Sequence, residues 1–225
     1  MIKIPKHKNN YSRTLSHELS KFCLWSYYDP THVHNNVIHY KYHNIHHVVG
    51  NLTCGYIIEL NNSTICAFHG VSNLKSLTKL FKLSPKPFGD IELNCGIVDE
   101  YIIIRDQMRR LINPKKNLLL TGHSMGGGIA ALLALEYPEA ITYTFGTPRF
   151  ISKKTEHNAF SVINNMDVLA HLPTSVKTFT HFGEKQFLPK MDVCPLNIWN
   201  NHAITSYIKG TSNDLNYTYQ LPEDY

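Results

Sequence analysis

An α/β fold, with a largely parallel central sheet, helices on both faces and β-hairpin edges, is predicted by three features of this 225-residue chain. Strand-like and helix-like runs alternate through the middle of the sequence. Those runs are bounded by Gly, Pro and Asn, where the backbone has to turn. A hydrophobic content of 43% is enough to bury one sizeable core, which fits a single domain over 1–225 better than two.

The elements follow in order. Leu15, Leu19, Phe22 and Leu24 recur with helical spacing over 14–28, predicting an N-terminal helix that Ser or Thr can cap. Gly55–Leu60 and Ser63–Phe68 are β-rich runs flanking Asn61-Asn62, whose residues tolerate positive φ, so they read as a hairpin. The second strand delivers the chain to His69-Gly70-Val71. Residues 97–112 make a helix of about four turns, stopped by Asn113-Pro114. A strand over Asn117–Thr121, a Gly-rich turn and an Ala-rich helix ending near Glu136 come next. Further strands are expected at Ile141–Phe145 and Ser161–Ile163, a hairpin turning at Gly183 over 176–188, and a short helix within 199–208.

Composition excludes several classes of function. The balance of 22 Lys+Arg against 17 Asp+Glu gives only +5, and the surplus is scattered, unlike the dense patch of a nucleic-acid binder. No apolar run approaches the roughly 18–20 residues a membrane-spanning helix requires. Five cysteines form an odd, unpatterned set that reads as reduced thiols, and Met1–Ser20 has no apolar h-region, so an intracellular, cytoplasmic home is expected. Richness in Asn, Lys and Ile is what an AT-rich genome encodes, such as that of some large DNA viruses or protists.

The strongest chemical signal is Gly122-His123-Ser124-Met125-Gly126. In a G-x-S-x-G turn the flanking glycines remove Cβ atoms that would collide with the neighbouring strand and helix, leaving the serine hydroxyl on a strained tip. Leu118-Leu119-Leu120 supplies the apolar strand before the turn and Ile129–Leu135 the buried helix after it. A serine at its ordinary pKa is inert and needs a base, held by an acid, within hydrogen-bond reach. Asp167 stands out among the later acids because it follows the strand-like SVINNM, at the strand end where open α/β sheets build their sites. Three histidines beyond it, His171, His181 and His202, can then serve as base, and spacing ranks His202 only modestly first.

The ordered motifs resemble the class 3, or fungal-type, lipase family of α/β-hydrolases over about 55–210. Ala67–Ser72 is similar to the family's strand ending in F-R-G-T/S, and Leu118–Ala131 to its serine elbow. Thr144-Phe145-Gly146-Thr147-Pro148-Arg149 looks like T-F-G-x-P-R, and Asn164–Pro173 resembles the segment carrying the family's aspartate. His181-Phe182-Gly183 matches a structural H-x-G, and Asn201-His202 followed by Tyr207 resembles D-H-x-x-Y, which supplies the base. The resemblance implies an α/β-hydrolase fold, Ser124 as nucleophile, Asp167 as orienter, His202 as base, and an oxyanion hole made by the Val71 and Met125 N–H groups. It implies no cofactor and no metal. His123 is implied to be an elbow residue and not a base, and Arg149 a structural contact. The family usually carries Ser or Thr where Val71 stands and Arg where His69 stands. The backbone donor survives that change, but the hydroxyl that supports it is absent.

Two stretches stand apart. Six histidines crowd into 31–48, where β-branched residues suggest a strand or loop with a solvated surface rather than a zinc site. Leu74, Leu77, Leu80 and Phe81 share a stripe beside three lysines over 74–83, which suits either an ordinary surface helix or a lid meeting a membrane or lipid droplet. The expected function is serine-dependent hydrolysis of lipid carboxylic esters, as in a triacylglycerol lipase or a phospholipase A1. The alternatives are a soluble esterase or thioesterase on short acyl substrates, or a non-catalytic lipid-binding module.

Overall fold

A computed structural model describes residues 2, 10–71, 84–155, 157–173, 179–189 and 197–212. In chain order the elements are α1 (Arg13–Trp25), α2 (Pro30–Val37), β1 (Asn44–Val49), β2 (Cys54–Glu59), β3 (Ser63–Phe68), β4 (Pro85–Phe88), β5 (Ile91–Asn94), α3 (Cys95–Leu111), β6 (Asn117–His123), α4 (Met125–Glu136), β7 (Ile141–Phe145), β8 (Ala159–Ile163), β9 (Glu184–Phe187), α5 (Ile198–His202) and α6 (Ile204–Thr211). Seven strands form one sheet in the order β1-β2-β3-β6-β7-β8-β9, while β4 and β5 pair separately. The first three strands of the sheet are antiparallel neighbours, and every pair from β3 to β9 is parallel.

Alternation along the strands assigns each side chain to a face. On β6, Leu118 and Leu120 join the core under α3 and α4, whereas Leu119 joins the core under α1, α2 and α6. On β3, Cys66 and Phe68 go one way and Ile65 and Ala67 the other. Both faces are therefore covered, which is why the central strands read as unbroken apolar runs. Helix α4 is buried almost throughout, as its Gly- and Ala-rich sequence permits. Side-chain oxygens cap α1, α2 and α3 at their N-termini: Ser12 accepts from Leu15 N, Asp29 from Thr31 N and His32 N, and Asn94 from Gly96 N.

Two expectations are corrected. Among the described residues 179–188 the expected hairpin at Gly183 is not formed: β9 runs parallel to β8, and Thr180 instead bridges Ile151. Gly183 takes φ +73°, and a Cβ there would lie 2.3 Å from the Ala159 carbonyl oxygen, so the turn crosses the start of β8 and enters β9 alongside it. The histidine-rich stretch opens as a helix, α2, because Asp29 caps it and Pro30 occupies its first turn, before it becomes β1. Leu93 on β5 is fully buried and bridges Ile151. The helix expected over 74–83 lies outside the described residues. Among the described residues no helix is long and apolar enough to cross a membrane.

One buried carboxylate ties the sheet edge to the segment that follows β3. Glu100 on α3 accepts from the backbone N–H groups of Leu52 (2.8 Å) and Thr53 (3.0 Å), and the Thr53 hydroxyl donates to the His69 carbonyl. Glu100→Ala strands two backbone donors and is expected to cost about 2–4 kcal/mol. Urea denaturation measures this, and an unchanged midpoint would show that these bonds add nothing.

Candidate active site

The chain leaves β6 through Ser124, a non-glycine residue at φ 54°, ψ −122°. Such a backbone costs about 1–3 kcal/mol and persists only where its surroundings dictate it. The Ser124 N–H donates to the Phe145 carbonyl on β7 (2.8 Å). A Cβ at Gly122 would lie 2.1 Å from the Gly126 oxygen, and one at Gly126 would lie 2.3 Å from the Phe68 oxygen. The two glycines thus let helix α4 lie directly on strands β6 and β3, and that approach sets the angle at which the hydroxyl projects.

Asp167 sits in the loop after β8 and is fully buried. Its Oδ1 accepts from the N–H groups of Leu169 (3.0 Å) and Ala170 (3.2 Å), capping the short 3-10 turn Leu169–His171. Its Oδ2 faces the His202 Nδ1 at 2.7 Å and accepts from the Tyr207 hydroxyl at 2.6 Å. His202 ends α5, and its Nε2 lies 2.9 Å from Ser124 Oγ. Asn164 steadies this junction, because its side-chain amide donates to the Asn201 carbonyl (2.9 Å) while its oxygen accepts from Met166 N (3.1 Å).

These contacts settle the tautomer. A carboxylate only accepts, so His202 Nδ1 carries the proton and the Nε2 lone pair faces the serine hydroxyl. Of the three candidate histidines it is His202 that stands between Ser124 and Asp167. His171 closes the 3-10 turn beside Asp167, and buried His181 carries its pKa down to about 4, through desolvation first and nearby Arg149 and Lys185 next. Arg149 donates from its backbone to the Leu172 carbonyl and from its guanidinium to the Pro173 carbonyl, so it braces the loop rather than the hydroxyl.

His123 faces away from Ser124 Oγ. Its Nε2 lies 2.7 Å from the His202 carbonyl and its Nδ1 2.6 Å from the Tyr27 hydroxyl. Burial, and then the neighbouring His202, hold its pKa well below the ordinary value, so it is neutral. The Nε2–H accordingly donates to the carbonyl, and the Tyr27 hydroxyl donates to Nδ1. The role of Tyr27 was not legible in the sequence, because 96 residues separate it from its partner. That of Tyr207 was signalled by the H-x-x-Y spacing, but its bond to Asp167 was not. Burial and the Asp167 charge push the Tyr207 pKa well above the usual phenol value, so it remains a donor. Among the described residues no group of three or more His, Cys, Asp or Glu side chains could hold a metal ion.

Comparison with known proteins gives the family and the fold. Residues 65–177, half of the chain, match the family described as Lipase (class 3). The chain belongs to the class 3 lipase family. This member is 22% identical over 175 residues to the lipase of Rhizomucor miehei, a match covering 64% of this chain and 48% of that one. It is 36% identical over 84 residues to the mouse diacylglycerol lipase-beta, covering 28% of this chain and 13% of that one. The chain thus spans about half the length of the first relative and a small part of the second.

Solved structures share its fold. A triacylglycerol lipase whose catalytic centre is described as a serine protease triad superposes with a TM-score of 0.64 at 19% identity, covering 80% of this chain and 82% of that one. The lipase of Rhizopus microsporus var. chinensis gives 0.61 at 14% identity, covering 92% and 93%. The architecture is the α/β-hydrolase fold. The family match includes Ser124 and Asp167 but stops before His202, so the case for His202 rests on its distances.

Two outcomes follow for this lipase-family member. Tyr207→Phe removes a hydrogen bond to a buried charge and is expected to cost about 1.5–3 kcal/mol, read from urea denaturation at pH 7; an unmoved midpoint would deny the bond any weight. Unfolding frees His181 to bind a proton near pH 6.5, whereas the folded protein holds it near 4. The unfolded state therefore gains protons first as the pH falls. Stability from this group is complete above about pH 6.5 and declines by on the order of 3 kcal/mol towards pH 4. Urea titrations across that range test this, and His181→Gln should flatten the slope; a slope that stays as steep contradicts it.

Proposed function

We propose that this chain hydrolyses lipid carboxylic esters through an acyl-enzyme on Ser124, with triacylglycerol or the sn-1 ester of a phospholipid as the substrate class. One observation carries the reading: a single imidazole spans the 2.9 Å to the serine hydroxyl and the 2.7 Å to a buried carboxylate.

Ser124 Oγ attacks the ester carbonyl as His202 Nε2 takes its proton, and Asp167 stabilises the imidazolium without itself accepting the proton. The carbonyl oxygen becomes an oxyanion. Its proposed donors are the N–H groups of Val71, next to the end of β3, and Met125, in the first turn of α4, where amides have no partner inside the helix. The Ser124 N–H is already committed to Phe145, which favours Met125 as the elbow's donor. Collapse expels the alcohol, protonated by His202. Water, deprotonated by the same ring, then attacks the acyl-enzyme, releasing the fatty acid and restoring Ser124.

A lipid substrate is favoured over a short soluble ester by what surrounds the imidazole and carboxylate. Val168 beside Asp167, and Ile198 and Trp199 on the helix carrying His202, expose large apolar surfaces, with Trp199 50% accessible. Exposed apolar side chains carried on the same elements as the imidazole and carboxylate suit acyl chains or a lipid surface.

Hydrolysis of p-nitrophenyl esters tests the chemistry. Ser124→Ala and His202→Ala are expected to lower kcat by about 10³–10⁶-fold and Asp167→Asn by roughly 10⁴-fold. Unchanged turnover in His202→Ala would remove the base from this account. Rates that climb once the substrate aggregates support the lipid reading, and rates confined to monomeric short esters support the soluble esterase instead.

A further inference from the structure

The segment leaving β3 is held in an unusual way. In the class 3 lipase pattern the residue at 71 is Ser or Thr, whose hydroxyl steadies the oxyanion hole, and the residue at 69 is Arg; here they are Val71 and His69. The His69 ring is half-buried and tied at both nitrogens. The Cys54 N–H donates to its Nε2 at 3.0 Å, and its Nδ1 meets the Gly70 carbonyl oxygen.

Those contacts leave one protonation state. An amide N–H can only donate, so Nε2 must be the acceptor and the proton sits on Nδ1, aimed at the Gly70 oxygen. Desolvation holds the ring neutral, in keeping with an Nε2 that accepts. Arginine could not stand here in the same way, since it has no acceptor for the Cys54 amide.

The Gly70 carbonyl and the Val71 N–H belong to one rigid, planar peptide unit, so fixing the oxygen fixes the direction of the hydrogen. The preceding groups are fixed as well. The Thr53 hydroxyl donates to the His69 carbonyl, and the Gly70 N–H donates to the Tyr27 hydroxyl at 2.9 Å. The Tyr27 ring also packs on the His69 ring, with centroids 4.9 Å apart. This pinned segment passes against the nucleophile, because a Cβ on Gly70 would fall 2.7 Å from Ser124 Cβ.

We propose that His69 is a positioning residue: its Nδ1–H holds the Gly70–Val71 peptide from the carbonyl side and so aims the Val71 N–H at the oxyanion, replacing the hydroxyl that position 71 lacks. The inference rests on the ester-hydrolase reading and deepens it. Histidine at 69 and valine at 71 are then a matched pair, with the support moved from one side chain to another.

Isosteric substitutions separate the two ring nitrogens. Asn places an amide N–H where Nδ1 stands, and Gln places an acceptor where Nε2 stands. Steady-state kinetics of the full chain on p-nitrophenyl butyrate are measured for His69→Asn, His69→Gln and His69→Ala, with thermal melting to confirm folding. Loss of a whole oxyanion donor costs about 10²–10³-fold in kcat, so an unpinned donor is expected to cost about 10–100-fold in the Gln and Ala variants, with KM within about threefold. Asn is expected to keep at least about ten times the kcat of Gln, and adding Val71→Thr to His69→Ala to recover about fivefold or more.

A folded Ala variant with wild-type kcat, or Gln equal to or better than Asn, overturns the proposal. Wild-type protein with no Ser124-dependent turnover overturns the ester-hydrolase reading itself. That result is distinct from variants that fail to differ within an active enzyme.

Discussion

The left-handed backbone of Ser124 is the constraint on which the rest of the structure depends. An L-residue held at φ 54° relaxes unless both flanks are fixed. Here the strand before it is locked into the centre of a parallel sheet, and the helix after it is pressed onto that sheet by glycines at 122 and 126. The apolar burial on both faces, from α3 and α4 on one side and α1, α2 and α6 on the other, holds one hydroxyl in an orientation it would not adopt alone.

The second requirement is a charge kept inside the protein. Asp167 has no exposure to water, and its two oxygens accept from two backbone amides, the Tyr207 hydroxyl and the His202 ring. Four donors around one carboxylate offset much of its desolvation and leave it a single direction in which to act on the imidazole. The same economy recurs on the other side of the serine. Tyr27, His69 and His123 form an aromatic cluster in which each polar atom described has a partner, linking the segment after β3 to the backbone of His202.

What was legible in the sequence was what local sequence encodes. The Gly122–Gly126 turn, the apolar strand before it and the buried helix after it are short-range consequences of side-chain size. Asp167 follows a strand, so its place at a strand end could be read as well. The base could not be chosen from spacing, because His171, His181 and His202 all lie downstream and only the fold brings the last of them to Ser124, 78 residues away. Resemblance to the family supplied that choice, and the distances agree with it. The run 176–188 misled because alternation marks a strand but not its neighbour, and β9 pairs in parallel with β8. Tyr27 carried no local signal, since its role exists only where an N-terminal segment crosses the end of β3.

The central claim is that the Ser124 hydroxyl is activated by His202. Reaction of the folded protein with a fluorophosphonate, followed by peptide mass spectrometry, tests it most directly. The account predicts one equivalent of adduct on Ser124, formed with loss of esterase activity, and little adduct when His202 is replaced by alanine. A natively folded protein in which Ser124 stays unmodified while ester turnover continues would contradict it.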